Sequence, residues 1–318
     1  MTLVAYALRR IAAIILILAV LSLLIFGLLA LMPGDPALIL LGPKAATPEA
    51  LAAIRDRYGL DDPFLVQYGH WLSGAVRGDF GVSIYSGSQV TTLIGDRIGV
   101  TAWLAVYALV LTVLAAVPLG LAAGMRTGTR LDRTATAVSL VTLSAPTFAV
   151  GFLLIYLFSV TLDWFPSFGA GDGFVDTVWH MTLPAVTLAA GQFAVLLRQT
   201  RAATMDVAER DYVTFARARA IGPARIRRRY VLRNASLPVL TSAGLLLAYG
   251  LTGAVLVENV FALQGLGTLL VTSVAQLDLP VVQGLAMFTA LLVLLTNLVV
   301  DLLYYALDPR LRRAAVAT

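Results

Sequence analysis

The sequence predicts an all-α membrane protein with six transmembrane helices and a small extracytoplasmic insertion between helices 1 and 2. Three observations carry that expectation. Hydrophobic residues make up 59% of the 318-residue chain and charged residues only 13%, and the mean hydropathy is +0.87, values outside soluble globular usage. Six apolar stretches are long enough to cross a hydrocarbon core, which takes about 20 residues at a rise of about 1.5 Å each. Arginines crowd the loops on one side of those stretches and are sparse on the other. The chain has no cysteine, which excludes a disulfide framework, a thiolate metal site and a cysteine nucleophile. The net charge of +5 reports topology in this context, and no nucleic-acid partner is expected from it.

The first span is predicted at 11–32, free of charge and preceded by Arg9 and Arg10. A cleaved signal peptide is the rival reading, but its apolar region would be shorter, and a convincing small-residue cleavage site is missing. From 33 to 96 the composition turns polar, with acids, tyrosines, glycines and prolines. Thr47-Pro48-Glu49 is a helix start with Thr47 as cap, running to about Tyr58. Asp61-Asp62-Pro63 is read as the cap of a second helix that reaches Trp71 or beyond, and Gly78-Asp79-Phe80-Gly81 as a turn.

Span two is predicted at 98–125, interrupted only by Pro118, which neighbouring spans can accommodate. A short loop with Arg126, Arg130 and Arg133 follows. Span three continues to about Leu162 and contains Ser144-Ala145-Pro146-Thr147-Phe148. An outer segment, 163–176, carries Trp164 and Phe165, aromatics that suit the membrane interface. Span four is placed at 179–197, span five at 235–257 and span six at 279–300. The domain division that follows is 1–32 for the first span, 33–96 for the insertion, 97–308 for a core of five spans, and 309–318 for a tail.

The most informative loop is 198–238. It holds ten arginines between Arg198 and Arg233, against Asp206, Glu209 and Asp211. Asp211 is expected to cap a short helix through Ala220. Gly222 is expected to end it in the left-handed conformation, with Pro223 opening the next helix. Val213, Phe215, Ala216 and Ala220 give the short helix a mildly apolar side, flanked by Arg217 and Arg219. Its small residues would let another protein's groove approach the backbone.

Asp211-Tyr212-Val213, then Phe215-Ala216-Arg217-Ala218-Arg219, then Leu232-Arg233-Asn234-Ala235-Ser236-Leu237-Pro238 resemble the EAA loop of ATP-binding-cassette (ABC) importer permeases. The branch is the dipeptide/oligopeptide/nickel one, whose pattern is close to DYVRTARAKG followed by a basic helix and LRNALLP. The family's glycine falls on Ala220, with Gly222 two positions later. Further matches are RYGLDDPFLVQYGHWL with RGDFGVSI in the first loop, and Glu258, Phe261, Gly265, Leu266 and Gly267 after span five. Asn297, Asp301, Tyr304, Asp308, Pro309 and Arg310 fit the family's ending. The competing reading of the loop is an amphipathic helix lying on anionic lipid.

The resemblance implies a type I ABC importer permease fold and a non-catalytic subunit without cofactor. It implies as partners a homologous second permease, two cytoplasmic ABC ATPases (or one two-domain ATPase), an extracytoplasmic substrate-binding protein and the lipid bilayer. Asp211, Tyr212, Phe215, Ala216, Arg217, Ala218, Arg219, Ala220 and Gly222 are then the ATPase-coupling residues. Implied substrates are dipeptides or oligopeptides, with nickel chelates and other small solutes as further members of the branch.

Charge bias orients the chain. Eighteen of the 23 basic residues fall in the N-terminus, the 126–133 loop, the 198–233 loop and the tail. The other five, Lys44, Arg55, Arg57, Arg77 and Arg97, lie in the first loop. Positive-inside bias places both termini and the 198–233 loop in the cytoplasm, and the resemblance implies a bacterial inner membrane.

No enzymatic constellation is present in the sequence. The lone lysine, Lys44, follows Leu41-Gly42-Pro43, which is not a phosphate-binding loop. His70 and His180 lie in separate outer segments without an acid cluster at ligand spacing, so no metal is expected. Gln192, Asn297 and Asp301 are candidates to line a pathway, since polar groups in a bilayer are costly and often functional. The competing reading has Asn297 and Asp301 hydrogen-bonding between helices. Glu258 is read as either structural or gate-related. The alternative function, an ion-coupled secondary transporter or channel subunit, would predict membrane-embedded charges, and the spans are almost free of them.

Overall fold

The computed structural model describes residues 3–30, 37–38, 47–59 and 61–307. Motif residues Lys44 and Asp308 to Arg310 lie outside these. The described residues are helical throughout, apart from turns and one isolated β-bridge between Val82 and Gln89.

Helix α1 (Leu3–Ala30) is the first span. In the insertion, α2 (Pro48–Tyr58) begins as the sequence suggests: the Thr47 side chain accepts from the Ala50 N–H, and Gly59 ends the helix at φ 57°. Helix α3 (Phe64–Val76) is capped by Pro63 with no side-chain bond, so neither Asp61 nor Asp62 serves as its cap. Pro63 itself holds the non-helical N-cap conformation at φ −56°, ψ 142°, which leaves Asp62 one residue short of the capping position. Helix α3 rests on α1, where Phe26 meets Phe64, Tyr68 and Trp71, and Ser22 hydrogen-bonds Tyr68.

The second span is α4 (Val90–Met125), with Pro118 inside it. The expected third span is broken. Helix α5 (Arg130–Ser144) and helix α6 (Thr147–Thr161, its last part π-helical) meet at about 100°. The residue before a proline is driven out of the helical region, and Ala145, before Pro146, is extended at φ −78°, ψ 124°. The fourth span, α7 (Phe174–Ala208), runs well past 197 because no breaker follows Leu197. A short helix α8 (Asp211–Ala218) comes next. The fifth span, α9 (Pro223–Val260), starts twelve residues before the 235 expected. Helix α10 (Leu266–Ala275) is short and apolar, and α11 (Leu279–Leu307) is the last span. Among the described residues, five helices are thus long and apolar enough to cross a membrane, six when the bent pair counts as one span.

The core is the seam between α4 and α7. Gly120 and Gly124 are four apart on α4 and face Thr200 and Thr204 of α7. A Cβ on Gly120 would lie 2.9 Å from the Leu197 carbonyl oxygen, and one on Gly124 would lie 2.7 Å from that of Arg201. Small residues at this spacing let helix backbones touch, which is how helices associate where water provides no drive. Helix α5 is pinned to the same seam by Asp132, which takes a bidentate bond from Arg201 (2.9 Å from Nη2) and a further bond from the Gly128 N–H.

Candidate coupling and pathway residues

Helix α8 is eight residues long and lies on the body of the chain. Val213 and Ala216 point inward, 0% and 4% exposed. They join Leu121 of α4, Val207 of α7, and Ile226, Val231 and Ala235 of α9. This corrects the expectation for Ala216. The three-residue spacing from Val213 puts Ala216 on the inward face, so its small side chain fits its own chain and is not free for a partner's groove. The outward ridge is Tyr212, Phe215 and Arg219, with Phe215 68% and Tyr212 41% exposed. Asp211, Arg217, Ala218, Ala220 and Gly222 are also exposed.

The ends of α8 differ from the sequence expectation. Arg210 is the N-cap, and Asp211 is the first helical residue, where its charge still complements the helix dipole. At the other end, the Ile221 N–H reaches the Ala216 carbonyl (3.2 Å) and the Ala220 N–H reaches that of Arg217 (3.0 Å). This is a Schellman closure, and its left-handed residue is Ala220 at φ 53°. Gly222, at φ −58°, instead caps the next helix ahead of Pro223. The left-handed position is thus Ala220, two places before Gly222.

Of the four pathway candidates, Gln192, Glu258 and Asp301 each have their own polar partners, with none shared. Gln192 is buried in a three-helix junction. Its Oε1 accepts from Thr112 of α4, and its Nε2 donates to the Leu246 carbonyl of α9, both at 3.3 Å. Glu258 is fully buried at the end of α9. It accepts from the Thr101 hydroxyl (2.6 Å) and from the N–H groups of Gly267 (2.7 Å) and Thr268 (3.1 Å). Thr101 in turn accepts from the Leu266 N–H. The carboxylate thus caps α10 and ties α4, α9 and α10 together. A Cβ on Gly265 would sit 2.3 Å from the Glu258 carboxylate, and one on Gly267 would sit 2.4 Å from the Val255 Cα. Those close approaches explain the glycines of the Glu258–Gly267 pattern. Asp301 pairs with Arg10 of α1 at 3.0 Å, and Asn297 is half-buried one turn earlier on α11.

Sequence reasoning missed two long-range locks. Asp132–Arg201 is one. The other is Asp278, buried between α10 and α11, which accepts from the Ser83 hydroxyl and the Ile84 N–H of the insertion. Partners 195 residues apart leave no local signal, although an acid isolated beside Arg130 and Arg133 is a hint for Asp132.

A bundle of apolar spans, closed by buried polar locks and bearing a short helix with an exposed aromatic ridge, is the build of a multi-span membrane subunit. Residues 116–313 match the family described as the binding-protein-dependent transport system inner membrane component, and residues 3–105 match its N-terminal family. The chain belongs to that family. It is a multi-pass inner-membrane protein, the non-catalytic permease of an ATP-driven importer of the ABC type, and ATP hydrolysis falls to separate subunits. This sets aside the ion-coupled transporter and channel readings. Among its relatives, a probable peptide ABC transporter permease of Sinorhizobium fredii is 37% identical over 310 residues, covering 96% of this chain and 99% of that one. The glutathione transport system permease of Escherichia coli K12 is 38% identical over 307 residues, covering 96% and 98%. A solved structure of the MetNI methionine ABC transporter in inward-facing form has the same fold, with TM-score 0.56 and 18% identity over 68% of this chain and 96% of that one.

Proposed function

We propose that this chain forms, with a homologous second permease, the path for peptides delivered by an extracytoplasmic binding protein. Two cytoplasmic ATPases drive its alternating access. The peptide class is supported by relatives named for peptide and glutathione transport. The insertion at 33–96 is extracytoplasmic, the loop at 198–238 and both termini are cytoplasmic, and the core of five spans occupies 97–308. The arginine distribution supports this orientation.

The observation that carries the coupling role is the two-faced build of α8. Val213 and Ala216 fasten it to the ends of α4, α7 and α9, while Tyr212, Phe215 and Arg219 are free to fit an ATPase surface. A helix rigid on one side and adhesive on the other transfers a partner's preference for one state to the spans. Phe215→Ala removes the most exposed aromatic of the ridge and should lower recovery of co-expressed ATPase on pull-down about tenfold, with peptide uptake falling in step. Gel filtration of the variant should match wild type. Undiminished recovery and uptake would remove α8 from the coupling role.

A further inference from the structure

The first turns of α9 carry five exposed arginines, Arg225, Arg227, Arg228, Arg229 and Arg233, which α8 docking does not use. Among the described residues none of the five has a carboxylate within ion-pair reach, whereas Arg201 and Arg210 pair with Asp132 and Asp206. Ile226–Leu232 is π-helical. Its wider i→i+5 turn brings residues five apart nearer to one face than an α-helix does. Ile226 and Val231, five apart, are the buried pair, so Arg227, Arg228 and Arg229 all fan outward. The Asn234 side chain donates to the Tyr230 carbonyl at 2.6 Å, where the ladder changes pitch.

The depth of this segment follows from length. Helix α9 has 38 residues, roughly 57 Å at 1.5 Å per residue, nearly twice the hydrocarbon thickness of about 30 Å. Its uncharged part starts at Asn234 and its apolar part at Ala235, so the arginines stand at the headgroup layer and just beyond it. We propose that Arg225, Arg227, Arg228, Arg229 and Arg233 form a binding surface for anionic phospholipid headgroups of the leaflet that α9 enters. Guanidinium groups bind phosphate oxygens in bidentate fashion, and each basic side chain near an anionic surface adds to the attraction. The surface is distinct from the Tyr212–Phe215 ridge, which lies on another helix beyond the Gly222 turn.

The test uses the full chain in detergent, titrated with fluorescent phosphatidylglycerol or phosphatidylcholine. Wild type should prefer phosphatidylglycerol. The triple variant Arg227→Gln, Arg228→Gln, Arg229→Gln should lose at least about fivefold of that preference. The control triple Arg126→Gln, Arg130→Gln, Arg133→Gln removes the same charge from another exposed loop and should change it less than about twofold. Equal losses in both triples, or none in the first, overturn the proposal. So does an unchanged lipid preference with lost ATPase recovery, which would assign the arginines to the ATPase. A salt series on wild type stands even if a variant fails to fold. The preference should weaken from about 50 to about 500 mM salt, and a salt-independent preference rejects headgroup binding.

Discussion

The carboxylate of Glu258 accepts the Gly267 N–H at 2.7 Å, in a site where neither residue is open to solvent. One acid thus holds the start of α10 against the end of α9 and, through Thr101, against α4. Glu258→Gln puts an NH2 group among N–H donors and strands at least one of them. Loss of about 2–3 kcal/mol of stability is expected, read as a lower melting temperature in detergent. Gly267→Ala should destabilise through its clash with Val255. Unchanged melting in both variants would mean that the lock contributes nothing.

Ala220 sits at φ 53° in the Schellman closure of α8, a conformation that costs a residue with a Cβ roughly 1–2 kcal/mol. Ala220→Gly should relieve that strain, less the added chain entropy, for a net gain of about 0.5–1 kcal/mol. Slower amide exchange at Ile221 would register it. Ala220→Val should act in the opposite direction, and faster exchange in the glycine variant would contradict the assignment.

Because Ala216 is buried against Val213's neighbours, Ala216→Glu should damage this chain before it damages any complex. An unpaired carboxylate in that cluster costs several kcal/mol, on the order of 3 or more, so α8 should detach and become sensitive to protease. Phe215→Glu, on the exposed ridge, should leave the protease pattern intact. Similar protease patterns for the two variants would refute the inward placement of Ala216.

The orientation is checked with single cysteines, since the chain has none of its own. Ser73 and Thr214 are both exposed. An impermeant thiol reagent on intact cells should label Ser73→Cys and spare Thr214→Cys. The reverse pattern inverts the topology.

Asp132→Asn should cost about 1–2 kcal/mol, because it weakens the charged bonds to Arg201, whose side chain stays 29% exposed and partly solvated. Asp132→Leu combined with Arg201→Met should recover most of that loss. A double variant no better than the single one would show that the pair contributes by more than mutual neutralisation.

Much of the architecture is legible in the sequence, because a span needs an uninterrupted apolar run and little else resembles one. The breaks are harder. Pro118, Pro184 and Pro238 lie inside helices, whereas Pro146 stands at a bend of about 100°. Proline alone therefore does not decide between a bend and a continuous helix, and at Pro146 the bend coincides with α5 being held to Arg201 through Asp132. In α8 the sequence marks the helix but not its facing, since alanine suits a buried seam and an open surface equally. Glu258 has partners nine and ten residues on, inside the pattern the sequence shows, but its Thr101 partner and the Ser83 partner of Asp278 lie 157 and 195 residues away, beyond any local pattern.

The glycine seam has a mechanical meaning. With backbone set against side chain at Gly120 and Gly124, α4 and α7 have no room to slide without collision, so they behave as one strut. Helix α4 alone has 36 residues, roughly 54 Å of length. If the strut pivots near the end where α8 is seated, a tilt of about 5° sweeps its far end by roughly 5 Å, a displacement comparable to a side chain's width. On the coupling role proposed for α8, such a strut would multiply a small push at the ATPase side into an opening at the opposite mouth, and its stiffness would set how much of the push arrives.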